Sequence, residues 1–137
     1  MRYSETRGLS LLMNTKSDAV FIESLSALTL ATSDMQRSVV FYENLGFELA
    51  RGSASQKFVT FRAGSQYLNI TLEVPDREPC WWGRAIFYVS DVDAMYSRVL
   101  SLDLEPDFEP RDAPWGERYF HLSAPDGHEL SFARRNL

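Results

Sequence analysis

His121, Glu129 and Glu73 are the side chains of this chain best suited to chemistry. Each lies where residues alternate in character, and alternation puts side chains of one parity on one face of a strand. Two kinds of chemistry fit the set. One imidazole and two carboxylates can hold a metal ion if they converge. A histidine beside a glutamate can also move a proton without one. His121 and Glu129 are therefore the catalytic candidates. The plainer reading makes His121 a hydrogen-bonded strand residue and pairs the glutamates with Arg84. No Ser-His-Asp order, Cys-His pair or glycine-rich phosphate loop is present.

The elements that must position these residues follow from pattern. Glu117 to Ser123 alternates, with Phe120 and Leu122 apolar. Ala124-Pro125-Asp126-Gly127 has the chemistry of a tight turn, and Glu129 to Ala133 alternates again. Upstream, Ser24 to Thr32 reads as a strand. Ser33-Asp34 caps a helix over Met35 to Asn44, which Gly46 stops. Phe47 to Arg51, Lys57 to Arg62 and Tyr67 to Glu73 read as strands. Gly83 to Ser90 is a strand, Asp91 caps a helix over Val92 to Ser101, and Leu104 to Phe108 is a further strand.

This is βαβββ written twice, and the letters themselves repeat. Ser33-Asp34-Met35 matches Ser90-Asp91-Val92, and Leu45-Gly46-Phe47-Glu48 matches Leu102-Asp103-Leu104-Glu105. The expected class is α+β. Two modules, about 24–73 and 82–134, form a curved eight-stranded mixed sheet with helices outside and a concave cup. Residues 1–23 read as a mobile arm and 74–81, with Pro75 and Pro79, as a linker.

Alternation then sorts the side chains. Leu28, Leu30, Leu68, Ile70, Leu72, Ala85, Phe87, Val89, Phe120, Leu122, Leu130 and Phe132 should pack under the helices. The opposite face carries Ala27, Tyr67, Asn69, Glu73, Arg84, Ile86, Tyr88, Tyr119, His121, Glu129 and Ser131. A mixed polar and aromatic face of this kind suits a ligand cup. The ligand-binding candidates are Tyr67, Asn69, Glu73, Arg84, Tyr88, Trp115, Tyr119, His121 and Ser131. An unpaired Arg84 would favour an anionic or carbonyl group; an Arg84 neutralised by Glu73 and Glu129 would favour a neutral or cationic ligand. Trp81, Trp82 and Trp115 could wall a planar ligand, cap the core or fill a dimer contact. His128 reads as a solvent-exposed start to the last strand.

Trp115-Gly116-Glu117-Arg118-Tyr119-Phe120, then Pro125-Asp126-Gly127-His128, then Leu130 and Phe132-Ala133 make a distinctive hairpin. With Ser33 to Leu49, it resembles the vicinal oxygen chelate superfamily of glyoxalases, bleomycin-resistance proteins and extradiol dioxygenases. The resemblance spans about residues 25–134. It implies a metal site built from four side chains on the cup floor. In this chain those positions read Ala27, Asn69, Arg84 and Ser131. Alanine has no donor atom, arginine repels a dication, and Asn and Ser are weak ligands. No metal and no cofactor is therefore expected at the family position. The pattern is nearest to metal-free bleomycin-resistance-like members. It implies a homodimer that sequesters a small, partly aromatic molecule. The alternative is a lyase or oxygenase with a displaced metal, or acid–base chemistry by His121 and Glu129. Arg118 of the same signature is expected in a structural ion pair, with Asp126 the candidate partner.

Composition sets the remaining limits. At 137 residues the chain has the size of one domain, and 45% hydrophobic content supports a core. The lone Cys80 excludes an internal disulfide and a cysteine-cluster metal site. A net charge of −5 speaks against a nucleic-acid surface. Glu105, Asp107, Glu109 and Asp112 make an acidic rim, read as a solvated edge. No apolar run is long enough to span a membrane, and Leu9 to Met13 is too short for a signal-peptide core. The expected compartment is the cytoplasm.

Overall fold

The computed structural model describes residues 20–73 and 80–136. Most of the expected arm and most of the expected linker lie outside those residues; Val20 to Ser26 carries no regular structure. The first module contains β1 (Ala27–Thr32), α1 (Met35–Leu45), β2 (Glu48–Arg51), β3 (Phe58–Ala63) and β4 (Gln66–Leu72). The second contains β5 (Arg84–Tyr88), α2 (Val92–Ser101), β6 (Arg111–Asp112), β7 (Glu117–Ser123) and β8 (Glu129–Arg135). The α+β class and the twofold βαβββ plan are those read from the sequence. The eight strands are hydrogen-bonded as two four-stranded sheets, in the orders β1-β4-β3-β2 and β5-β8-β7-β6.

The repeat holds at the helix ends. Asp34 accepts a hydrogen bond from the Arg37 amide at 3.0 Å, and Asp91 accepts one from the Ala94 amide at 3.0 Å. Each satisfies a donor that the first turn leaves free. Beyond α1, Gly46 takes φ +112°; the repeat-equivalent Asp103 takes φ 59°, the one non-glycine positive φ among the described residues. A left-handed residue closes each helix, and glycine does so at less steric cost.

One expected strand is absent. Leu104 to Phe108 does not join the sheet; its place is taken by the two-residue β6. Pro106 within this stretch and Pro110 just after it have no amide hydrogen to give a ladder. The Asp107 amide still donates to the His121 carbonyl at 2.9 Å, which seats the segment along β7.

The predicted helix-facing residues form the core. Leu30, Leu68, Ile70, Ala85, Phe120, Leu122, Leu130 and Phe132 are buried, and Leu28, Leu72, Phe87 and Val89 pack against them. Phe47 meets Phe87 edge to face with ring centroids 5.0 Å apart, so the modules share aromatic packing. Polar contacts join them as well. The Asp126 carboxylate accepts from the Thr32 hydroxyl at 2.5 Å and from the Ser33 amide and hydroxyl at 3.1 Å each. Arg37 lies 3.4 Å away. Asp126 therefore does not pair with Arg118. That guanidinium instead bridges Asp93 of α2 at 2.9 Å and Asp112 of β6 at 3.2 Å. Register explains the change: Arg118 stands opposite Asp112 near the far end of the hairpin from its Pro-Asp-Gly turn.

Candidate functional site

The cup face of the second module is built on β8. Ser131 and Ala133 point into it from this central strand, and both are buried. Ile86 stands opposite Ser131 and Tyr88 opposite Ala133 on one side; His121 and Tyr119 stand opposite them on the other. Small residues flanked by large ones make the floor. Ser131 sits in that floor at 3% exposure and offers little surface of its own.

The walls are aromatic. Tyr119 lies between Trp115, at a centroid distance of 5.7 Å, and His121, at 5.3 Å. Phe108, from the segment that fails to form a strand, reaches over both, 5.6 Å from Tyr119 and 5.0 Å from His121. The Arg111 guanidinium covers its ring at 3.6 Å. On the β5 side, Ile86 and Tyr88 are more than half exposed, at 62% and 56%.

At one end of the cup the ionic groups neutralise each other. Glu129 accepts hydrogen bonds from Arg84 and from the Trp81 indole, the latter at 3.1 Å, and His121 Nδ1 lies 3.2 Å from the same carboxylate. Burial pushes the Glu129 carboxyl up, but the bonds from Arg84 and Trp81 outweigh it and hold the group below the usual carboxylate range. His121 is held below the usual imidazole range, first by burial and then by the charge of Arg84; Glu129 opposes the shift. At neutral pH His121 is thus uncharged, and its 3.2 Å approach to Glu129 is not an ion pair.

At the other end, the Glu117 carboxylate accepts from the Tyr88 hydroxyl and from the Trp115 indole, the latter at 3.1 Å. A cleft of about 1000 Å³ runs from here between the modules, past Ile86, Arg84, Trp82, Tyr67 and Ala27.

The structure therefore brings Arg84, Tyr88, Trp115, Tyr119, His121, Glu129 and Ser131 together on one face. The first-module candidates lie on the other sheet. Tyr67 lines the cleft. Asn69 accepts from Thr60 at 2.7 Å and donates to Thr29 at 3.2 Å, so its amide is engaged across three strands. Glu73 lies past the end of β4, where the Thr71 hydroxyl is 3.5 Å away. Among the described residues no three His, Cys, Asp or Glu side chains are placed to hold a metal ion, so Glu73 does not converge with His121 and Glu129. The family metal positions do not fit a divalent ion either. Ala27 has no donor, Asn69 is engaged, Arg84 is a cation on Glu129, and Ser131 is a buried hydroxyl.

His128 corrects an expectation. It is not a free strand starter: its Nδ1 accepts from the Trp82 indole at 2.9 Å, which leaves Nε2–H to donate to the Ala31 carbonyl at 2.8 Å. This clip joins the end of β1 to the start of β8. Glu117 and Phe108 are site residues that sequence reasoning missed. Glu117 shares the parity of Tyr119 and His121, so alternation carried the signal. Phe108 arrives from an irregular segment, and no period marks it.

Known proteins can be set beside this geometry. No curated protein matches the chain. The bleomycin resistance determinant encoded on transposon Tn5 superposes with TM-score 0.69 at 21% identity, over 84% of this chain and 100% of that one. A lactoylglutathione lyase from Agrobacterium tumefaciens gives 0.66 at 19%, over 82% and 93%. A glyoxalase/bleomycin resistance protein/dioxygenase from Nocardioides gives 0.69 at 22%, over 87% of each chain. At such identities these likenesses speak for fold alone. No helix of the described residues is long and apolar enough to cross a membrane. The family model matches residues 24–132, and by that match the chain belongs to the glyoxalase/bleomycin resistance protein/dioxygenase superfamily.

Proposed function

We propose that this chain is a binding protein that sequesters a small, partly aromatic, neutral or cationic molecule in the second-module cup. The observation that carries this reading is the pairing of Arg84 with Glu129 beneath aromatic walls. An anionic ligand would need that guanidinium, and Glu129 already holds it. Tyr119, Trp115 and Tyr88 supply flat surface, and Ser131 and Ala133 leave room beneath it. Sequestration needs no bond made or broken: binding lowers the free concentration of the compound by mass action. Exposed Ile86, Tyr88, Trp81 and Trp115 support a homodimer in which a second copy closes the cup.

Thermal melts test this. An aromatic ligand at 100 times its Kd should stabilise the chain by about 2.7 kcal/mol, with or without chelator. A specific shift with Zn²⁺, Ni²⁺, Mn²⁺ or Fe²⁺ that His121→Ala abolishes would overturn the reading.

One contact favours a second reading, metal-free proton transfer. His121 Nδ1 lies 3.2 Å from the Glu129 carboxylate, so a proton held on Nδ1 would leave Nε2 as the base. That reading requires turnover with a pH–rate profile that His121→Ala removes.

A further inference from the structure

The cup holds two carboxylates, and they are not equivalent. Glu129 has Arg84 as a counter-charge. Glu117 is held only by neutral donors, the Tyr88 hydroxyl on one oxygen and the Trp115 indole on the other. Among the described residues it makes no ion pair. Arg135 stands opposite it in register on β8, yet the two are not joined. The donors fix the orientation of the carboxylate without cancelling its charge. Each oxygen keeps a further acceptor site.

The surroundings are equally specific. Tyr88 and Trp115, which hold Glu117, are 56% and 67% exposed. Glu117 and Tyr88 both line the inter-module cleft. A cation arriving there would meet a fixed carboxylate and aromatic rings together, the combination that best stabilises a weakly hydrated planar cation.

We propose that Glu117 is the specificity-determining residue of the cup. It receives a planar cationic group, an amidinium or guanidinium attached to an aromatic body. The two nitrogens of such a fork match the two carboxylate oxygens, and the aromatic body lies against Tyr88 and Trp115. This rests on the binding reading above and adds the charge, the shape and the receiving residue.

Matched probes test it: naphthalene-2-carboxamidine, which is cationic, and the neutral naphthalene-2-carboxamide, titrated by calorimetry. The unmodified chain should bind the amidine about tenfold more tightly, the factor expected of one charge-assisted contact. Glu117→Gln should bring the ratio close to one and spare amide binding. Glu43→Gln, on the exposed side of α1, removes the same net charge and should leave the ratio unchanged. Arg135→Gln should raise it. A preference that survives Glu117→Gln, or equal binding by the unmodified chain, overturns this assignment alone. Binding of neither probe overturns both it and the aromatic-ligand reading. Should Glu117→Gln fail to fold, the Trp115 indole N–H resonance of the unmodified chain decides. It should move farther with the amidine, which shares the Glu117 carboxylate with the indole, than with the amide at equal saturation; equal movement overturns the assignment.

Discussion

Asp126 and Thr32 stand 94 positions apart in the chain, and their oxygens meet at 2.5 Å. The contact joins the hairpin turn of the second module to the end of the first strand of the first. With the Ser33 bonds it gathers one carboxylate and several donors at the start of α1. Asp126→Ala should cost about 2 kcal/mol, because it removes the one acceptor that Thr32, Ser33 and Arg37 share across the modules. Asp126→Asn should cost less. Urea unfolding of the three chains measures the order.

Acid should undo the same contact. Burial raises the Asp126 carboxyl, but the bonds from Thr32 and Ser33 outweigh it, and the group lies below the usual carboxylate range. A carboxyl depressed in the folded state gives stability that is full above its unfolded value, about 3.9 for aspartate. That stability is lost as pH falls through the folded value. Glu129 acts in the same direction. The urea midpoint should fall steeply on acidification below about pH 4, and the slope should be shallower in Asp126→Asn.

His121 should respond in opposite senses to its two charged neighbours. Arg84→Met removes the cation that lowers its pKa and should raise it. Glu129→Gln removes the carboxylate that opposes the shift and should lower it further. The chain has two histidines, so ring resonances assigned with a His128 variant follow the titration directly. No shift in either variant would show that burial alone sets the value.

Gly46 should tolerate substitution less well than Gly127. Both have positive φ, +112° and +90°. A Cβ at Gly46 would meet Arg98 Nη1 at 2.6 Å, whereas Gly127 has open space. That guanidinium nitrogen donates to the Leu45 carbonyl at 2.8 Å and so ties α2 to the end of α1. Gly127→Ala should cost about 1 kcal/mol from backbone strain. Gly46→Ala should cost more, and the excess should vanish in an Arg98→Ala background. A double-mutant cycle measures it.

Most of the fold could be read from the chain because two signals agreed. Alternation sorted Leu68, Ile70, Leu130 and Phe132 to the buried face, and the repeated Ser-Asp caps fixed both helices. The misplaced strand at Leu104 to Phe108 came from trusting the repeat over the chemistry of Pro106 and Pro110. The site was less legible. Parity places a side chain on a face; it does not say which neighbour it binds. That Arg84 turns to Glu129, that Arg118 turns to Asp93, and that His128 reaches Ala31 depend on distances between strands far apart in sequence.

The prolines that remove that strand also settle how the second sheet ends. An outer strand with free amides is a template on which another chain can add itself. Beside β7 the template is broken: β6 offers two residues, and Pro106 and Pro110 have no amide hydrogens to pair. The acidic side chains of Glu105, Asp107, Glu109 and Asp112 further discourage an incoming strand. These features disfavour growth of the sheet from copy to copy at this border. This edge is a poor template for fibre-like stacking between copies of the chain.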